Sequence, residues 1–112
     1  METIRFPFGL ASSAVLSATG NQTIEVDNDL TLVDGVITPA TGDRTINLSI
    51  PEDIKAGARL MFSLKSAATE KTIFGNNITG ASITGVAGKT KTVEAMYNGT
   101  VFVVLGTAGQ ID

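Results

Sequence analysis

Residues 91–105 read KTVEAMYNGTVFVVL, and their reading decides the fold. Two β-prone runs flank Asn98-Gly99, a dipeptide suited to the two positive-φ positions of a type I′ hairpin turn. A two-residue turn pairs Tyr97 with Thr100, Ala95 with Phe102 and Val93 with Val104, setting small residues against large ones. The second run is apolar on both faces. Such a strand lies in the middle of a sandwich, or turns its second face to another subunit. Val101, Val103 and Leu105, with Met96 from the first run, are therefore the candidate oligomer interface.

Working outward, alternation with period two recurs and helical spacing is scarce. "TIEV" puts Ile24 and Val26 on one face. "RTINLSI" turns Ile46, Leu48 and Ile50 inward and Thr45, Asn47 and Ser49 outward. "ARLMFSLK" turns Leu60, Phe62 and Leu64 inward and Arg59, Met61 and Ser63 outward. "LTLVDGVIT" reads as a second tight hairpin about Asp34-Gly35. "PEDIKAG" offers one helical turn at most, opened by Pro51 and closed by Gly57. Glycines at 75, 80, 85 and 88 punctuate short β-prone pieces. Many short strands with frequent turn signals predict an all-β domain, a small antiparallel β-sandwich of jelly-roll type over residues 13–112. Residues 1–12 form a separate N-terminal arm in this reading. Pro7 between Phe6 and Phe8 disfavours a ladder, and Phe6, Pro7, Phe8 and Leu10 are the candidate contacts to a partner, the alternative being a strip that lies across its own sheet.

Candidate chemistry is thin. "GVAGKTKT", residues 85–92, ends like a phosphate-binding loop, but the glycine such a loop needs at 83 is Ile83. The stretch also opens an alternating run rather than the helix whose N-terminus would face a phosphate. It reads as a turn. "DNDLTLVDG" carries Asp27, Asp29 and Asp34, yet Leu32 and Thr38 stand where a calcium loop needs glycine and glutamate, so these read as turn residues. Glu25, Glu52, Glu70 and Glu94 fall on outward faces or turns, with no cleft for a paired-carboxylate hydrolase. Tyr97 is the one aromatic of the type that stacks on sugars, and beside a turn it reads as rim packing.

The 112 residues hold no cysteine and no histidine, which removes disulfides, thiolate metal sites, imidazole zinc sites and the Ser-His-Asp triad. A net charge of −3 gives no electrostatic reason to bind nucleic acid or an anionic membrane. The N-terminal twenty residues do not read as a signal peptide. No run approaches the roughly 18 apolar residues of a membrane span. Synthesis in the cytoplasm, without cofactor or metal, is the expectation. Four Asn-x-Ser/Thr matches, at Asn21, Asn47, Asn77 and Asn98, are read as chance in an Asn/Thr-rich chain. A 43% apolar share is high for a short chain and calls for a subunit that covers part of the surface.

A strand of the "RTINL" type, a Gly-x-x-Leu-x-Phe strand, a "TIFG" segment and a closing "YNGTVFVV" hairpin follow one another across residues 20 to 106. This cadence resembles the small β modules of tailed-bacteriophage virion proteins: head-fibre, capsid-decoration and tail-appendage proteins. The resemblance implies a non-enzymatic structural protein of the virion. It would be a homotrimer in the favoured case, and would bind the major capsid or another virion protein through its N-terminal segment. A receptor- or glycan-binding module of a tail appendage is the alternative.

Overall fold

Over residues 11–112, which the computed structural model describes, ten strands are the only regular elements. They are β1 (Ala11–Val15), β2 (Gly20–Glu25), β3 (Leu30–Ala40), β4 (Arg44–Ser49) and β5 (Arg59–Ser66). β6 (Lys71–Phe74), β7 (Ile78–Thr79), β8 (Ile83–Thr84), β9 (Thr90–Tyr97) and β10 (Phe102–Gln110) follow. The first strand thus starts inside the stretch read as the arm. Six strands, ordered β1-β3-β5-β9-β10-β7, form one sheet, which curls into a half-barrel; β2-β4-β6-β8 form the other.

The all-β expectation holds, and the antiparallel jelly-roll does not. β1, β3 and β5 are mutually parallel in the larger sheet, as are β2, β4 and β6 in the smaller. From β1 to β9 the chain steps from one sheet to the other after each strand, and its first six strands wind as a short coil. Ala11, Leu30 and Arg59 lie side by side in one wall, and Gly20, Arg44 and Thr72 in the other. Parallel neighbours need a long crossover; here each crossover is a strand of the opposite sheet. Antiparallel pairs appear only late, where β8 joins β6 and the β9–β10 hairpin joins β5.

The core lies between the sheets. Ile24, Ile46 and Leu48 of the small sheet meet Val33, Leu60, Phe62, Val93, Ala95 and Phe102 of the large one, all but Val33 on the faces that alternation assigns. Phe62 meets Phe74 edge-on, with ring centroids 5.5 Å apart. Amides tie successive turns of the coil. Asn47 accepts from Asn76 N (2.8 Å) and donates to Gln22 O (3.4 Å), while Asn77 donates to Leu48 O (2.7 Å). Two of the four Asn-x-Ser/Thr asparagines are therefore struts of the fold.

Among the described residues one charged side chain is fully buried. Arg44 heads the inward face of β4 at 0% exposure, in line with Ile46 and Leu48. Its Nη1 donates to Thr38 O (3.1 Å) and Ser17 O (3.4 Å), and its Nη2 to Lys65 O (3.1 Å) and Gly35 O (3.3 Å). One guanidinium thereby joins β4 to the β1–β2 corner, to β3 and to the end of β5. Burial pulls its pKa below the ordinary arginine value, and attraction to Glu70 pushes it back up.

The Asp34-Gly35 hairpin does not form. β3 continues through that dipeptide and shifts register against β5 between Gly35 and Ala40, and Asp34 Oδ1 accepts from Val36 N (2.8 Å) and Ile37 N (3.2 Å). Gly35 is there for space. A Cβ at that position would stand 2.9 Å from Arg44 Nη2 and 2.9 Å from Ser63 O. The β9–β10 hairpin does form, but with a longer turn. Asn98 N donates to Val101 O (3.0 Å), and Asn98 Oδ1 accepts from Thr100 N (2.9 Å) and Val101 N (3.0 Å). Gly99 takes a φ of 101°. Residues 98–101 thus make a four-residue turn, and Tyr97 pairs with Phe102, Ala95 with Val104 and Glu94 with Leu105. The displacement from the expected register is even, so no side chain changes face.

Replacing Arg44 by Lys keeps the charge but cannot reach four carbonyls from one ammonium, leaving buried acceptors unpaired. Urea unfolding followed by circular dichroism should show a loss of about 2–4 kcal/mol. Gly35→Ala should cost about 1–3 kcal/mol through overpacking. A neutral result for both would remove the guanidinium from its place in the fold.

Candidate functional site

The outer face of the six-stranded sheet is the surface that the sequence leaves apolar. Register and alternation set its side chains in rows. Leu30, Arg59, Met96 and Val103 form one, and Ser13, Leu32, Met61, Glu94 and Leu105 the next. Leu32 and Leu105 are 45% and 41% exposed, and Leu30 and Met61 are open to a similar degree. Two apolar patches result, Leu30-Leu32-Met61 on β3 and β5 and Met96-Val103-Leu105 on β9 and β10. Between them Arg59 Nε meets Glu94 Oε2 at 3.2 Å, both side chains partly exposed.

The first patch is concave. Ser12 and Ser13 of β1 border a trough of about 410 Å3 walled by Leu30, Leu32 and Met61. Alternation alone does not place this wall. "LTLV" sets leucine on one face and threonine and valine on the other, and it is Thr31 (1% exposed) and Val33 that are buried while both leucines face out. The pairing of Thr31 with Leu60 and Val33 with Phe62 fixes the phase of β3. Thr31 Oγ1 lies 3.4 Å from Ser12 Oγ, which gives the buried hydroxyl a partner.

The predicted interface residues separate in the structure. Met96, Val103 and Leu105 share the outer face, whereas Val101 falls in the 98–101 turn. Phe6, Pro7, Phe8 and Leu10 lie outside the described residues. The stretch 85–92 holds a turn, with Gly88 at a φ of 72° and Lys89 N donating to Val86 O (2.9 Å), and leads directly into β9. Asp27 accepts from Ser12 Oγ (2.7 Å) and Asp34 caps backbone within β3, so these two carboxylates serve separate tasks. Tyr97 braces the hairpin, its ring 5.1 Å from that of Phe102 and its hydroxyl donating to Gly99 O (3.0 Å).

A second hollow, of about 210 Å3, lies where β8 and the outer part of β10 leave the two sheets unjoined. Ile83, Val93, Val104 and Ala108 line it, and the Lys91 ammonium beside it donates to Thr84 O (2.8 Å). Its cation already has a partner and its walls are mostly aliphatic.

No protein-family model, no curated protein and no solved structure matches this chain.

Because both of its side chains reach solvent, the Arg59–Glu94 pair contributes little to folding. Arg59→Ala should lower the unfolding free energy by less than about 1 kcal/mol, and the difference should shrink in high salt. A larger, salt-insensitive loss in urea titrations would mean that the pair is a structural element rather than a surface feature.

Proposed function

We propose that this chain is a non-catalytic structural subunit that assembles with its own copies through the outer face of β9 and β10. In this reading it serves in a tailed-bacteriophage virion, as an auxiliary capsid or head-fibre protein. The observation that carries the assembly is the grouping of Met96, Val103 and Leu105 on one sheet face beside the Arg59–Glu94 pair. The patch offers apolar area to bury, at about 25 cal/mol per Å2. The ion pair presents one charge of each sign, so a neighbouring copy can set its Glu94 against this Arg59, a head-to-tail contact that a ring repeats. That complementarity favours a copy of this chain over an unrelated partner.

The particle setting rests on the resemblance of residues 20 to 106 to virion β modules, which also makes the threefold ring the favoured assembly. Phe6, Pro7, Phe8 and Leu10 are the proposed contacts to the major capsid or another virion protein. Binding of this kind needs no cofactor, nucleic acid or membrane.

Sedimentation velocity tests the assembly. The native chain should run as a homo-oligomer, and Leu105→Glu as a monomer with an unchanged circular dichroism spectrum. A buried Leu contributes about 1.5–3 kcal/mol, and an unpaired carboxylate in its place costs several more. A native chain that stays monomeric up to its solubility limit would end the proposal. Deleting residues 2–9 should leave the oligomer intact and abolish co-sedimentation with particles. Undiminished attachment would move the contact elsewhere.

A further inference from the structure

We infer that copies of this chain join head to tail, the Met96-Val103-Leu105 patch of one seated in the Leu30-Leu32-Met61 trough of the next. This rests on the self-assembly reading above and names the second surface that reading needs. Leucine and methionine wall the trough, and Leu30, Leu32 and Met61 all stay exposed among the described residues. Exposed apolar area of this kind marks an interaction site. On the patch, Leu105 is the most exposed member and so has the most apolar area to bury in such a trough.

Charge sets the direction. Arg59 belongs to β5, a trough strand, and Glu94 to β9, a patch strand. A neighbour whose patch enters the trough brings its Glu94 towards this Arg59, which is partly open to solvent beside its own Glu94. Coverage points the same way. Patch packed on patch about a twofold axis hides Met96, Val103 and Leu105 but leaves the trough bare in both copies. Head to tail, each copy covers one surface with each neighbour. The centres of trough and patch lie two strand spacings apart, about 10 Å at about 4.8 Å each, on a sheet that curls into a half-barrel. The two surfaces thus look in different directions from a shared ridge that carries Arg59 and Glu94. A head-to-tail contact whose rotation closes makes a ring. The ridge then faces the ring axis, where charges of opposite sign alternate from copy to copy.

The absence of cysteine makes the test clean. Full chains carrying Leu32→Cys or Leu105→Cys are co-expressed with tags of different size, oxidised and separated without reductant. Mixed disulfides, trough position to patch position, should form at least about tenfold more than either like pair, because seating raises the effective concentration of the two thiols. Separately, Leu32→Glu should turn the oligomer into a monomer in sedimentation velocity, as Leu105→Glu does, with an unchanged circular dichroism spectrum. An oligomer in which Leu105→Cys chains link chiefly to each other, or one that Leu32→Glu leaves intact, would overturn this inference and leave the self-assembly reading standing. An oligomer that forms neither kind of disulfide would overturn it too, by moving the contact to another surface. A native chain that is monomeric would end both.

Discussion

A guanidinium with no carboxylate in direct contact among the described residues sits at the centre of this fold, and the surrounding backbone is arranged to solvate it. Moving such a charge out of water is costly unless its donors are met. Arg44 meets the demand with carbonyls from the first corner of the coil, from β3 and from β5. Among the described residues its Nε alone finds no partner. A hydrophobic residue could fill the volume but could not fix the relative positions of those segments, because dispersion has no direction. The constraint runs back into the sequence: Gly35 is small because the guanidinium and Ser63 O pass beside it.

Much of the strand content was legible in the sequence, and its direction was not. Alternation assigns Ile24, Ile46, Leu48, Leu60, Phe62 and Leu64 to the core, and all six are buried. Period two describes a pleated segment with one covered face and is blind to whether the neighbour runs parallel or antiparallel. Direction follows from where the connections lead. Turn-forming residues such as Asn, Asp and Gly mark hairpins and sheet-to-sheet corners alike, so the coil passed for a sandwich of hairpins. At the corners the polar side chains do more than permit a turn. Gln22 pairs both backbone groups of Ser17 through its amide, and Asp43 accepts from Lys71 N on the next turn (2.8 Å).

The outer face was half legible. Met96, Val103 and Leu105 could be read because a strand apolar on both sides cannot be buried on both in so thin a layer. The even slip of the hairpin register left that reading unharmed and cost it only Val101, which the longer turn absorbs. Leu30 and Leu32 could not be read. A strand with leucine on one face and threonine and valine on the other gives alternation no unequivocal phase, and only pairing with β5 decides it. Arg44 was hidden for a related reason, since a charged residue at the head of a strand looks like an exposed end unless the neighbouring carbonyls are known.

The winding of the first six strands also bears on how the chain acquires its shape during synthesis. Each turn of the coil packs chiefly on the turn made just before it, so the early walls can settle in order as the polypeptide leaves the ribosome. β9 and β10 arrive last, and with β9 beside β5 they complete the large sheet. Until they do, that side of β5 keeps its backbone groups without their final partners. A stalled or prematurely released chain would therefore present a ready edge for unwanted pairing between nascent molecules.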